Sequence, residues 1–305
     1  MPDLFNRRAS LLVVAGNTAL DLSEMQFSFH VQQQDVESPN NCAIRVFNLS
    51  AKTTKQIQGE FDKVILQAGY GNQYGVIFQG NVKQFRRGRL NATDTYLDIL
   101  AADGDLAYNF AVMRESLGAN STPDQRFAAI TRSLAPFGIT AGDVMPYTGG
   151  ILPRGKVLFA MARAEMRRLA ESQGATWSID NGQLNVVPLS GFRAGDAVVL
   201  TASTGMIGLP EQTDNGINVR SLLNPRFVVG GRVQIDNASI NQTVQQDPSK
   251  PVGPFNVRAG IPQQLATVSD DGLYRIYVAE HRGDTRGQEW YTDLTCLKLI
   301  PTTTS

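Results

Sequence analysis

Gly205-Met206-Ile207-Gly208-Leu209-Pro210, Asn215-Gly216-Ile217-Asn218-Val219, Leu222-Leu223-Asn224-Pro225 and Gly230-Gly231-Arg232-Val233 follow one another in the last third of this chain. The apolar runs are short, partly β-branched, and each is closed by Gly, Pro or Asn. That is the pattern of sheet segments joined by tight turns. No acid, His or Cys sits among them at a catalytic spacing. A segment of this kind holds other parts in place.

Outward from that stretch the chain divides into three. Residues 1–105 read as mostly β. Phe27, Phe29 and Val31 alternate with polar neighbours, and Ile44, Val46 and Leu49 continue the pattern. Leu11-Leu12-Val13-Val14-Ala15 reads as a strand entering a turn at Gly16-Asn17. Ser50 is placed to cap a short helix running to about Gln58 and ended by Gly59. Gly69 to Gly75 is expected to separate strands 64–68 and 76–82, and Asn91 to Thr95 to link two more.

Residues 106–190 carry the helices. Thr122-Pro123-Asp124-Gln125 combines an N-cap, Pro at the first helical position and the Gln of a capping box. A second helix is expected over about 156–173, with Leu158, Met161, Ala162 and Leu169 on its apolar face and Gly174 as its stop. Trp177 to Val187 reads as a hairpin turning at Asn181-Gly182. Residues 191–305 return to β, interrupted by a proline-rich excursion at 241–262. Strand 273–280, a turn at Gly283-Asp284 and strand 289–299 close the chain. The fold class is therefore α+β, mainly β: two β-barrel-like or sandwich-like domains with a small helical α/β insert.

Composition narrows the function. The 305 residues hold 28 basic and 28 acidic side chains, so no global field draws the chain to nucleic acid or an acidic membrane. Charged residues make up 18%, below the usual quarter, which suits broad neutral protein contacts. No apolar run is long enough for a signal core or a bilayer span, which implies a cytosolic protein until something carries it out. Cys42 and Cys296, far apart in sequence, give no metal knuckle; they read as two buried thiols, with a bridge between terminal strands as the alternative.

The candidate chemistry is thin. The only histidines are His30, read as a surface or strand-end residue, and His281, read as beginning a turn before Asp284. Arg282-Gly283-Asp284 reads as turn chemistry rather than an adhesion signal. Asp94 and Asp98 fit a strand entrance and its solvent face better than a carboxylate pair, and Asp103 fits a turn. Arg86, Arg87 and Arg89 form the one basic cluster: a solvated hairpin end first, a contact with acids of a neighbouring subunit second, nucleic acid third. Glu165 falls inside the apolar stripe of its helix and needs a partner, for which Arg168 is one turn away. A structural or inter-subunit ion pair is the reading. No catalytic, cofactor-binding or metal-ligating residue is assigned; the interface candidates are Arg86, Arg87, Arg89, Glu165 and Arg168, with the 241–262 excursion.

The opening stretch, together with Ile44–Ser50, Val64–Tyr70, Ile77–Val82, Leu97–Gly104 and Tyr274–Val278 running into His281–Thr285 and Trp290, resembles the central baseplate hub proteins of contractile-tailed bacteriophages. The order of these pieces carries the resemblance. It implies a non-enzymatic structural subunit, forming a trimeric ring that adapts the sixfold tail tube to the threefold central spike. The implied partners are two further copies, the tail tube or its initiator, the central spike and baseplate wedge proteins, without cofactor, membrane or specific nucleic acid. The implied location is the virion's tail baseplate, assembled in the host bacterial cytoplasm. Two other classes remain: a receptor- or cell-wall-binding tail module, using aromatics such as Tyr70, Tyr74 and Trp290, and a tail-associated cell-wall hydrolase, using acids such as Glu165 and Asp98.

Overall fold

The alternation at Phe27, Phe29 and Val31 becomes a strand whose odd-numbered side chains are buried and whose even ones face outward. Around it the computed structural model describes residues 6–213, 216–236, 240 and 272–298, with the backbone of 256–258 and 261–263. The first part holds β1 (Arg7–Ala15), β2 (Thr18–Asp21), β3 (Phe27–Gln34), β4 (Asn41–Phe47), helix α1 (Ala51–Glu60), β5 (Lys63–Tyr70), β6 (Gln73–Arg89) and β7 (Thr95–Ala102). The middle holds α2 (Asp105–Phe110), β8 (Val112–Leu117), α3 (Pro123–Leu134), β9 (Thr140–Val144), β10 (Lys156–Met161), α4 (Ala162–Ser172), β11 (Ala175–Asp180) and β12 (Gln183–Pro188). The last part holds β13 (Val198–Leu200), β14 (Met206–Thr213), β15 (Gly216–Leu222), β16 (Arg232–Ile235), β17 (Asn256–Arg258), β18 (Ile261–Gln263), β19 (Leu273–Asp284) and β20 (Trp290–Leu297).

Among the described residues, one sheet runs β14-β15-β20-β19-β3-β4-β7-β6-β5-β1-β2, with β16 and β13 attached through β19. The β19–β3 pairing stitches the last part of the chain to the first, from Val278↔Gln34 to Asp284↔Ser28. The path does not close on itself, so the mainly β architecture is sandwich-like rather than a closed barrel. Three apolar cores form. The first gathers residues of β1–β7 and α1 with Leu223 and Trp290; the second lies within 107–186; the third lies within 198–296.

Local signals act where the sequence placed them. Ser50 caps α1 by accepting from the Thr53 amide at 3.0 Å. Thr122 and Gln125 close their capping box, at 3.3 and 3.0 Å. Asn181 and Gly182 both take positive φ, 53° and 77°, as a two-residue hairpin turn requires. At Gly69 a Cβ would sit 1.9 Å from the Gln73 carbonyl oxygen, so only glycine allows that hairpin to close.

Several expectations need correction. Residues 156–161 are strand β10, paired with β8 from Lys156↔Leu117 to Met161↔Val112; the helix starts only at Ala162. The reason is a period of two at Val157-Leu158-Phe159, with Leu158 buried and its neighbours out, which an apolar face drawn through Leu158 and Met161 concealed. Helix α1 passes Gly59 and ends at Glu60. Strands β5 and β6 run up to a two-residue turn at Gly71-Asn72, so no loop spans Gly69–Gly75. Strand β19 continues through Asp284, which puts His281 and the Arg-Gly-Asp tripeptide inside the sheet rather than at a turn. The 241–262 excursion lies outside the described residues except for the short antiparallel pair β17–β18.

Candidate functional site

Three features distinguish this framework: a buried polar junction between the cores, and, among the described residues, a set of unpaired surface cations and an uncovered apolar ribbon.

The junction centres on Arg275 of β19, which is 4% exposed. Its Nε donates to Asp35 Oδ2 at 2.7 Å, its Nη1 to the carbonyls of Pro188 and Gly191 at 2.6 and 2.8 Å, and its Nη2 to Thr176 Oγ1 at 3.0 Å. One guanidinium thus ties the end of β3 to β11, to the end of β12 and to the loop that follows. A second knot surrounds Asp180, whose carboxylate accepts from Ser178 Oγ (2.8 Å), Asn40 Nδ2 (2.8 Å), Asn185 Nδ2 (2.9 Å) and Arg193 Nη1 (3.1 Å). Asp103 joins it, accepting from the Gly182 amide at 3.2 Å and from the Asn181 amide. Burial, and next the negative charge of Asp180, hold the Asp103 carboxyl well above the usual carboxylate range. Burial likewise raises Asp180, against the opposing pull of Arg193. The sequence singled out none of Asp35, Arg275, Asp180 and Arg193: isolated charges in strands carry no local signal until the fold brings them together.

The surface cations are Arg86, Arg87 and Arg89 on the outer half of β6, which extends past the end of β5 and pairs there only with β7. The pleat divides them. Arg86 lies opposite Asp98, whereas Arg87 lies opposite Leu97 on the other face. Asp98 is already taken by Arg45, at 2.7 and 3.0 Å, and Lys83 pairs with Asp105 at 3.1 Å. Arg86 and Arg89 reach only neutral oxygens, on Gln84 (3.1 Å) and Ala92 (3.5 Å). Cations along an exposed strand edge oppose unwanted strand pairing and favour an acidic neighbour.

Glu165 is 3% exposed, inside the stripe as its spacing predicts. Its carboxylate meets three cations: Lys156 at 3.0 Å, Arg126 at 3.6 Å, and the expected partner Arg168. Burial pushes its pKa up, but Lys156 and Arg168 outweigh that and leave it below the ordinary value. Arg168 is the member of this cluster that reaches well into solvent.

The third feature is the β8–β10 ribbon. Its inner face buries Met113 and Leu158, while Val112, Val157 and Phe159 (each of the last two 74% exposed) stand out in solvent, and Phe110 at the end of α2 is 64% exposed.

The remaining candidates do not converge on chemistry. His281 is 1% exposed, 2.8 Å from Thr292 Oγ1, and burial lowers its pKa to about 4. Asp284 serves the backbone of Arg286 and Gly287 instead. His30 lies inside β3, half-buried, 3.1 Å from Glu280. Asp94 accepts from Asn48 and Asn91 in its turn, away from the Asp98–Arg45 pair. Cys42 and Cys296 are free and buried, and burial raises both thiols far above their normal range. Among the described residues no cluster of His, Cys, Asp and Glu could hold a metal, and no helix is long and apolar enough to cross a membrane.

This mainly β framework with a helical insert is similar in fold to several solved tail proteins. The chain superposes over 96% of its length on the 43 kDa tail protein of prophage MuSo2 from Shewanella oneidensis, covering 98% of that chain with TM-score 0.56 at 10% identity. It matches a tail protein of Neisseria meningitidis MC58 as well, with 96% and 97% coverage, TM-score 0.57 and 9% identity. A third match is the Escherichia coli c3393 protein, a component of the type VI secretion system structurally similar to T4 bacteriophage tail proteins gp27 and gp5 (90% and 74% coverage, TM-score 0.54, 9% identity). No curated protein sequence matches the chain. Residues 154–247 match the family model described as "Baseplate hub gp41".

Proposed function

We propose that this chain is a structural baseplate hub subunit, three copies of which form a ring adapting a sixfold tail tube to a threefold central spike. The observation that carries this reading is the end-to-end correspondence with two tail proteins, each covered over 97% or more of its length. The hub family match over residues 154–247 supports the hub rather than another tail position. A ring that transmits load needs rigid units, and the buried Arg275 and Asp180 knots supply cross-links between the three cores. We assign the units as residues 1–105, 106–190 and 191–305, the outer two presenting related β faces to the tube. The work of the protein is symmetry adaptation, not catalysis. Its partners are tube, spike and wedge proteins, and it travels in the virion after assembly in the host cytoplasm.

Arg86, Arg87, Arg89 and the exposed Arg168 are the cations we assign to contacts with acidic groups of neighbouring subunits, Glu165 fixing Arg168 from beneath. The test is native mass of the purified chain, alone and co-expressed with the adjacent spike. A trimer, or three copies held on a trimeric spike, is expected. A monomer that ignores the spike and binds host cell wall overturns the proposal.

A further inference from the structure

We infer that the subunits join head to tail, the outer face of the β8–β10 ribbon on one copy packing against edge strand β14 of the next. The inference rests on the trimeric ring proposed above and names the surfaces that close it.

A threefold ring is built from a heterologous contact, in which two different patches of one chain meet. The described surface offers two such patches. On the ribbon, Phe159 stands opposite Arg114 across the strand pair, with Val157 beside them and Val112 at the far end. Val157 and Phe159 are each 74% exposed, an unusual waste of apolar area in a chain whose surface is otherwise mixed. Arg114 is exposed in the middle of this face, without an ion pair among the described residues. The acid next to it in sequence, Glu115, points to the opposite face and is held by Arg132 at 2.6 Å.

The second patch is β14, the last strand of the long sheet on its β15 side. It exposes Ile207 (41%) and Leu209 (56%), followed by Glu211, which is exposed and likewise has no ion pair among the described residues. Pro210 lacks an amide to donate, and the pairing with β15 shifts register between Ile207 and Glu211. Both features block simple strand addition at this edge, so the contact is made by side chains.

The two patches are complementary in charge and alike in apolar character. Ribbon against ribbon would oppose Arg114 to Arg114, and edge against edge Glu211 to Glu211. Ribbon against edge joins opposite charges over apolar area, and a twofold pair is disfavoured for the same reason.

The experiment is analytical ultracentrifugation of four forms: wild type, Arg114→Glu, Glu211→Arg, and the two changes combined. Both positions are exposed, and an unchanged melting temperature confirms folding. Each single reversal is expected to weaken trimer formation at least about tenfold, and the combined swap to regain most of that loss. Phe159→Ser should weaken association without rescue by the swap. If both reversals trimerise like wild type, or the swap is no better than the sum of its parts, the contact is overturned while the ring stands. If wild type forms no trimer, alone or on the spike, the ring fails and this contact with it.

Discussion

Arg275→Met tests whether the junction holds the units together. The substitution keeps the volume of the side-chain stem and removes every donor. It strands the Asp35 carboxylate, 7% exposed, without its cation, and leaves the Pro188 and Gly191 carbonyls without their guanidinium donor. Breaking a buried pair from one side costs roughly 3–5 kcal/mol, most of it the penalty of the orphaned charge. At about 2 °C per kcal/mol for a chain of this size, the melting temperature should fall by about 8 °C, read by scanning calorimetry at neutral pH. The companion variant is Asp35→Asn combined with Arg275→Met. With no orphaned charge left, it should recover about half of the loss, a non-additivity that a double-mutant cycle measures directly. A single variant melting within about 2 °C of wild type, or a cycle that is strictly additive, refutes the role given to this guanidinium.

Asp103→Asn checks the second knot through pH. Because the folded pKa of Asp103 lies above its unfolded value, its contribution to stability is fully present below the unfolded value and is lost as pH rises through the folded one. Wild type should therefore lose stability with rising pH over that window, by at most about 1.4 kcal/mol per pH unit, and the Asn variant should show a flatter profile in denaturant titrations. Glu165→Ala leaves Arg126, 8% exposed, without a counter-charge, and should destabilise by about 3 kcal/mol in urea melts. Gly69→Ala forces the β5–β6 hairpin to shift and should cost at least about 2 kcal/mol, with a lower yield of folded protein. Cys42 and Cys296 should resist a thiol reagent at pH 8 until denaturant is added; rapid labelling of the native chain would contradict their burial.

Which features were legible follows from how local they are. Ser50, the Thr122–Gln125 box and the Asn181-Gly182 turn act over three or four residues, so sequence alone placed them. Glu165 was legible as an anomaly, and Arg168 as its neighbour on the same helix face. Lys156 and Arg126 were not, since one lies on strand β10 and the other on helix α3. Strand β10 reads as helix in the sequence because a few apolar residues fit both periods, and only its pairing with β8 decides between them. His281 reads as a turn residue in the sequence because Gly283-Asp284 has turn chemistry. Gly283 instead gives room to Phe29 and Trp290, whose atoms would lie 2.4 and 2.9 Å from a Cβ there.

The strand-rich class, the helical middle, the absence of familiar catalytic motifs and an order of segments resembling a tail hub are all legible in the chain before it folds. Each of these is written in spacings of two, three or four residues, or in composition. That β19 lies beside β3, that Arg275 meets Asp35 from 240 positions away, and that Val157 and Phe159 face solvent emerges only from the folded arrangement. Such pairings depend on which faces are left to bury once the local elements exist, and no local spacing records that.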